Sequence, residues 1–216
     1  LVHVLAGALF ALSLTLLLVT SNLRFIINDV GFYENGFEKY EVSQSTALEP
    51  SQLRRAAQEL VHYFNSPEET VKINVLWRGE VRELFNEREV VHLKDVKGLV
   101  VGVYWVQALA LLYLVGYAGV GFWRGGVAFG GRLARRVLEG SLLALGLLTA
   151  LGVGMLFAFD ALFLQFHLLS FSNPFWQLDP ARDYLIRMFP EGFFYDAALA
   201  TAGVKRFSFI AYGDTR

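Results

Sequence analysis

The sequence predicts an all-α integral membrane protein: three transmembrane helices, a truncated or incomplete fourth, and a small α-rich extracytoplasmic domain between helices 1 and 2. Three observations carry this. The 216 residues are 55% hydrophobic and 15% aromatic, with a mean hydropathy of +0.42, too apolar for an ordinary soluble domain of this size. Residues 1–20, 98–122 and 138–160 form apolar runs that match a hydrocarbon core of about 30 Å at about 1.5 Å per helical residue. Between the first two runs, residues 21–97 have the composition of a soluble segment, with Pro50, Pro67 and most of the charges.

The first run, Leu1 to Thr20, contains no Asp, Glu, Lys or Arg. A signal peptide would need a cationic start and a small-residue cleavage site, and neither is visible, so the run reads as a spanning helix. In the segment that follows, Leu53, Ala56, Ala57, Leu60, Val61 and Phe64 have the spacing of an amphipathic helix over Ser51 to Phe64, with Ser51 as N-cap after Pro50. Val71 to Trp77 and Glu80 to Leu84 flank Arg78-Gly79 as a short hairpin would. Little other sheet is expected.

Asn86 can cap a helix that starts at Glu87 and continues past Gly98 into the second apolar run. Helical spacing puts Glu89, His92 and Asp95 or Val96 on roughly one face, just outside the membrane. Residues 123–137 join the second and third runs with Arg124, Arg132, Arg135 and Arg136 among glycines and no acid. They read as a flexible turn, which the positive-inside rule makes cytoplasmic. Residues 21–97 and everything after the third run are then extracytoplasmic. The third run is rich in Gly and Ala, the residues that let membrane helices approach closely. Beyond it, the stretch to Phe171 either continues the helix or lies re-entrant in the interface, and residues 161–192 form a proline-broken, aromatic interfacial segment. Residues 193–216 begin a fourth helix that the sequence does not complete.

Net charge of −1 gives no basis for nucleic-acid binding, and with no Cys the chain has no disulfide, thiolate metal site or cysteine nucleophile. Acid–base chemistry falls to His, carboxylates, Ser/Thr and Tyr. His92 and His167 are the candidates, because imidazole titrates near neutral pH and the predicted topology brings both to one membrane face. A lone histidine is more often structural; two at one boundary, each within three residues of strongly apolar sequence, are harder to explain that way. His3 and His62 read as interfacial and surface residues.

Glu89 and Asp95 flank His92 and can orient its ring, or else belong to a solvated helix face; Asp179 has the same two readings. Asn173 and Trp176 carry N–H donors suited to a carbonyl or oxyanion, or else make a capped turn and an interfacial anchor. Arg182 and Arg187 can meet anionic headgroups. No His-x-x-x-His pair suggests a metal, and no Gly-x-Ser-x-Gly surrounds Ser170 or Ser172, so neither metal chemistry nor a serine triad leads.

The stretch Glu-x-x-His-Leu-x-Asp-Val (Glu89 to Val96) precedes one run. Phe-His-x-x-x-Phe-x-Asn-x-x-Trp-x-Leu-Asp-Pro (Phe166 to Pro180) follows the next, and Leu-Ile-Arg-Met-Phe-Pro-Glu-Gly-Phe-Phe-Tyr-Asp (Leu185 to Asp196) closes the pattern. In order and spacing these resemble the lipoprotein intramolecular transacylase family, Lit, polytopic proteins of the bacterial cytoplasmic membrane. The resemblance implies transfer of the sn-2 acyl chain of a diacylglyceryl-cysteine onto that cysteine's own α-amine, leaving a lyso-form lipoprotein. It implies diacylated lipoproteins as substrate, phospholipid as surroundings, no cofactor, and a required outward-facing histidine pair matching His92 and His167. The family has four spans; here Val204 to Arg216 lacks the apolar residues of a fourth.

On this reading His92 acts as base on the amine, oriented by Glu89 or Asp95. His167 then protonates the leaving oxygen or steadies the oxyanion with Asn173 or Trp176, and the two roles are exchangeable. A metal-dependent membrane hydrolase and a non-enzymatic envelope sensor or assembly protein are the competing classes. One pocket can use both imidazoles only if they lie within about 10 Å, since direct proton transfer needs hydrogen-bond reach or one bridging water.

Overall fold

The computed structural model describes residues 2–77 and 79–202. Three long helices dominate: α1 (Val2–Asn28), α5 (Glu87–Gly125) and α6 (Phe129–Ser170). Between α1 and α5 lie α2 (Val30–Lys39), α3 (Val42–Thr46), α4 (Pro50–Asn65) and an antiparallel pair, β1 (Asn74–Trp77) and β2 (Glu80–Glu83), in register from Asn74 opposite Glu83 to Trp77 opposite Glu80. After α6 come a 3₁₀ turn at Pro174–Trp176, α7 (Tyr184–Met188) and α8 (Glu191–Thr201). The chain is overwhelmingly helical, as the composition predicts.

Two helical stretches, His3–Asn28 and Glu87–Ser170, are long and apolar enough to cross a membrane, the second interrupted by a 3₁₀ turn at Gly126–Ala128. Their outward faces stay apolar, with Leu112 70% and Leu145 63% exposed, as lipid-facing surface requires. α1 packs against both α5 and α6. Small residues make the α1–α6 contact possible: a Cβ on Gly140 would lie 2.9 Å from the Ala11 carbonyl oxygen. At the same level Thr15 Oγ1 donates to the carbonyls of Ala11 and Gly140, both at 3.0 Å. A side chain at Gly140 would push the helices apart and break that bond.

A second core forms above the apolar helices. Leu53, Ala56, Ala57 and Leu60 of α4 bury the face that their spacing predicts, against Tyr33, Phe37, Val42 and Leu48. Met188, Phe189 and Phe193 join the same core from beyond α6, so the chain's late segment folds onto its early one.

Several boundaries differ from expectation. α1 continues to Asn28, because no Gly or Pro interrupts residues 21–28 and Asp29 caps the next helix by accepting from the Gly31 N–H. α4 starts at Pro50 with Glu49 as N-cap, not Ser51: proline already has the φ of a first helical residue. The arginine-rich connection is no loose turn. Gly126, at φ 53°, reverses the chain, and α6 resumes at Phe129, placing Arg132, Arg135 and Arg136 on its first turns. Past the third apolar run the helix does continue, to Ser170; the one non-helical residue of α6, Ala158 (φ −142°, ψ 31°), lies inside that run. Of the fourth helix, α8 is present from Glu191 to Thr201; residues 203–216 lie outside the described residues.

Candidate active site

The first turn of α5 is fixed before either candidate histidine is reached. Asn86 Oδ1 accepts from the N–H groups of Arg88 (3.0 Å) and Glu89 (3.2 Å), while Glu89 Oε2 accepts from the Asn86 N–H at 2.8 Å, a reciprocal capping box. The other oxygen of Glu89, Oε1, accepts from the Leu185 N–H at 2.5 Å and so ties the start of α7 to α5. Glu89 is fully buried, and that burial raises its pKa against the lowering effect of the N–H donors. Asp183, also buried, completes the clasp: Oδ1 accepts from Asn86 Nδ2 at 2.8 Å and Oδ2 from the Asp179 N–H at 2.7 Å.

One turn along α5 from Glu89 stands His92, and near the end of α6 stands His167. They are 7% and 8% exposed, with ring centroids 6.3 Å apart and planes at 26°. The separation is well inside the limit for one pocket. Aromatic rings close it: Phe171 meets His92 edge-on at 4.9 Å, and His167 contacts Phe163 at 4.3 Å and Trp176 at 5.0 Å.

The two imidazoles are held differently. His167 Nδ1 lies 2.8 Å from the carbonyl oxygen of Phe163, which only accepts, so Nδ1 carries the proton and neutral His167 presents a lone pair at Nε2. His92 Nδ1 is buried and has no hydrogen-bond partner among the described residues. Burial first, and then the nearby His167, lower the His92 pKa to about 4; Asp95 works in the opposite direction. At neutral pH His92 is therefore uncharged.

Of the remaining predicted residues, Asp95 and Asn173 meet: Asn173 Nδ2 donates to Asp95 Oδ2 at 2.7 Å, while Asn173 Oδ1 accepts from the Phe175 N–H at 3.0 Å. That contact joins the His92 helix to the strap at 171–180 that carries Trp176. Arg88 adds a second joint by donating to the Gln177 carbonyl at 3.1 Å. Asp179 shapes the next turn, accepting from the Ala181 N–H at 2.9 Å, and Arg182 stands 3.7 Å from it. Arg187 lies over the Tyr184 ring at 3.8 Å and donates to the carbonyls of Asp183 and Ser45. Asp179, Arg182 and Arg187 thus border the strap and α7 rather than the imidazoles. Among the described residues no group of three metal-ligating side chains gathers. Sequence reasoning missed Asp183 and Phe163, and had Phe171 only as a position in the Phe166 to Pro180 stretch. Asp183, with an Asp four residues before it, carries no local mark of burial; the i−4 spacing of Phe163 from His167 was the available signal.

Paired imidazoles in an aromatic pocket, above long lipid-facing helices, define a membrane protein equipped for proton transfer. The sequence model of the lipoprotein intramolecular transacylase family, Lit, matches residues 8–194, so the chain belongs to that family and is an acyltransferase. Among solved structures it is similar to the membrane integral lipoprotein intramolecular transacylase Lit from Bacillus cereus, with a TM-score of 0.78 and 22% identity over 93% of this chain and 87% of that one. Two variants of the Bacillus cereus protein, with a histidine changed to arginine or to alanine, each match with a TM-score of 0.74 and 21% identity over 93% of this chain. They cover 84% and 85% of those chains, respectively. At these identities the likeness speaks for the fold. None of the curated proteins matches the chain.

Proposed function

We propose that this transacylase acts on the outer face of a bacterial cytoplasmic membrane, on diacylated lipoproteins, moving the sn-2 acyl chain onto the N-terminal amine with His92 and His167 as the acid–base pair. The observation that carries this is the 6.3 Å facing of two buried histidines from segments 75 residues apart in sequence (167 − 92). In this reading α1, α5 and α6 each cross the bilayer surrounded by phospholipid, the arginine-rich 123–137 segment is cytoplasmic, and the domain of α2 to β2 stands outside.

The reaction forms an N–C bond between the α-amine and the sn-2 carbonyl carbon and breaks that carbon's bond to the glycerol oxygen. One proton leaves nitrogen and one reaches the departing oxygen, so no net proton is exchanged and no cofactor is required by the scheme. Of the two assignments open in the sequence, the geometry favours His167 as base: its Nδ1–H bond to Phe163 leaves Nε2 available to accept. His92, uncharged and with an unbonded Nδ1, stands opposite to steady the developing oxyanion or pass the proton onward. The nearby His167 adds to burial in keeping His92 neutral, which leaves His92 free to act as a neutral partner. Asp95 and Asn173 hold the two walls together, and donor and acceptor belong to one substrate, so folding its headgroup between them supplies the advantage of an intramolecular reaction.

The test is lipopeptide mass spectrometry in a host lacking N-acylation. His92→Ala and His167→Ala should each reduce lyso-form product at least about 100-fold, the size of a general acid–base contribution. Undiminished product from both would remove the histidines from the chemistry. Loss that chelators reproduce in the unmodified protein would favour the metal-dependent hydrolase.

A further inference from the structure

From His167 a line of aromatic rings runs down α6 toward the bilayer. His167 contacts Phe163 at 4.3 Å, Phe163 stacks on Phe159 at 5.4 Å, and Phe159 meets Tyr195 of α8 edge-on at 5.3 Å. Spacing of four residues keeps Phe159, Phe163 and His167 on one helix face. Trp176 adds a ring at the upper end, 5.0 Å from His167, and Phe194 flanks the middle, 5.3 Å from Phe163.

At the lower end, α6 breaks at Ala158 and opens a cavity of about 670 Å³ between Met155–Ala161 and residues Glu191, Gly192 and Tyr195. The α6 side of this cleft is apolar apart from Asp160. Asp160 and Glu191 are its carboxylates, both exposed; Ala158 and Ala161 are exposed as well and Met155 half-buried, and these three supply the apolar surface. The cleft is linked to the histidine pocket ring by ring: Phe159 lines the cleft and stacks on Phe163, which contacts His167.

The distances fit a specific occupant. Nine residues separate Ala158 from His167 (167 − 158), a rise of about 13 Å along a helix. One acyl chain fills about half of a hydrocarbon core of about 30 Å, or about 15 Å. A chain of that length with its carbonyl at His167, lying along Phe163 and Phe159, therefore reaches the Ala158 cleft at the outer end of the third apolar run. Building on the transacylase reading above, we infer that the cleft between the α6 break and α8 is the binding site for the migrating sn-2 acyl chain, with Phe163 and Phe159 as the track between the reacting carbonyl and the cleft. The chain length accepted by the enzyme is then set at Met155, Ala158 and Ala161, away from the histidines.

Synthetic diacylglyceryl lipopeptides with sn-1 and sn-2 chains varied independently test this in purified, detergent-solubilised protein. Ala161→Trp, which fills the cleft, should reduce kcat/KM for a palmitoyl sn-2 chain about tenfold and leave an octanoyl sn-2 chain within about twofold, whatever the sn-1 chain. Equal effects on both lengths, or sensitivity to sn-1 instead, would overturn the assignment. A wild-type protein yielding no N-acyl product would instead defeat the transacylase reading. Independently of any variant, a lipopeptide carrying a diazirine at the end of its sn-2 chain should crosslink to residues 155–161 or 191–195. Crosslinks confined to α1 or α5 would overturn the site even if Ala161→Trp failed to fold.

Discussion

The burial of His92 has an energetic consequence that can be measured apart from catalysis. In the unfolded chain its imidazole protonates near pH 6.5, while in the folded protein burial and His167 hold the pKa to about 4. The folded state thus binds fewer protons than the unfolded state between those values, and stability falls as the pH drops. The contribution is complete above about pH 6.5, disappears progressively toward pH 4, and is on the order of 3 kcal/mol, at about 1.4 kcal/mol per unit. His92→Phe keeps an aromatic ring beside Phe171 and removes the titration. Its melting temperature in detergent should fall less steeply between pH 6.5 and 4 than that of the unmodified protein. Parallel curves would mean that His92 is not held neutral by the fold. At this scale the sequence showed the two imidazoles and the Asn86 cap, because both depend on local pattern. It did not show the tautomer of His167, since the Phe163 carbonyl becomes its partner only because the helix continues beyond the third apolar run to Ser170.

Among the elements, the clasp between α5 and α7 shows how a residue expected near the chemistry supports it from a distance. Glu89 sits one turn from His92, yet both its oxygens are occupied by the backbone amides of Asn86 and Leu185. Its placement supports a positioning role, through the strap and α7, for a residue the sequence offered either as an orienter of the His92 ring or as part of a solvated helix face. Glu89→Ala leaves those amides without an acceptor, at a cost of about 1–3 kcal/mol each where they are buried. Glu89→Gln has one oxygen and serves only one of them. The expected order of melting temperatures is unmodified, then Gln, then Ala, with transacylase activity falling in step with the folded fraction. Activity lost without a change in melting temperature would give Glu89 a direct part in the reaction instead. Helix spacing made α4 and the outer half of α5 legible, but nothing local announces the partner at Leu185, 96 residues away. The break at Ala158 was equally hidden: the sequence there has no proline, and Gly154 is four residues earlier.

For the whole molecule, hydrophobic runs and the arginine cluster made the three long helices readable, whereas the joining of Met188, Phe189 and Phe193 to the α4 core depends on contacts across most of the chain. The Asp95–Asn173 and Arg88–Gln177 contacts join the strap after His167 to the His92 helix, so the site requires the α2–β2 domain and the end of α6 to lie on one side of a bilayer. The absence of cysteine from the sequence allows a direct test, because each introduced thiol is the sole labelling site. Gln44 is exposed on α3 in the α2–β2 domain, and Gly131 is exposed near the start of α6, where an added Cβ meets nothing within 4 Å. If the arginine-rich segment is cytoplasmic, Gln44→Cys should react with a membrane-impermeant maleimide in intact spheroplasts, and Gly131→Cys only after permeabilisation. The opposite pattern would place the histidines on the cytoplasmic side, away from the lipidated N-termini of exported proteins, and the outward-facing reaction would have to be abandoned. Labelling of both in intact spheroplasts would mean that α5, the long helix between the two positions, does not carry the chain across the bilayer, leaving His92 without the membrane-spanning helix on which this reading places it.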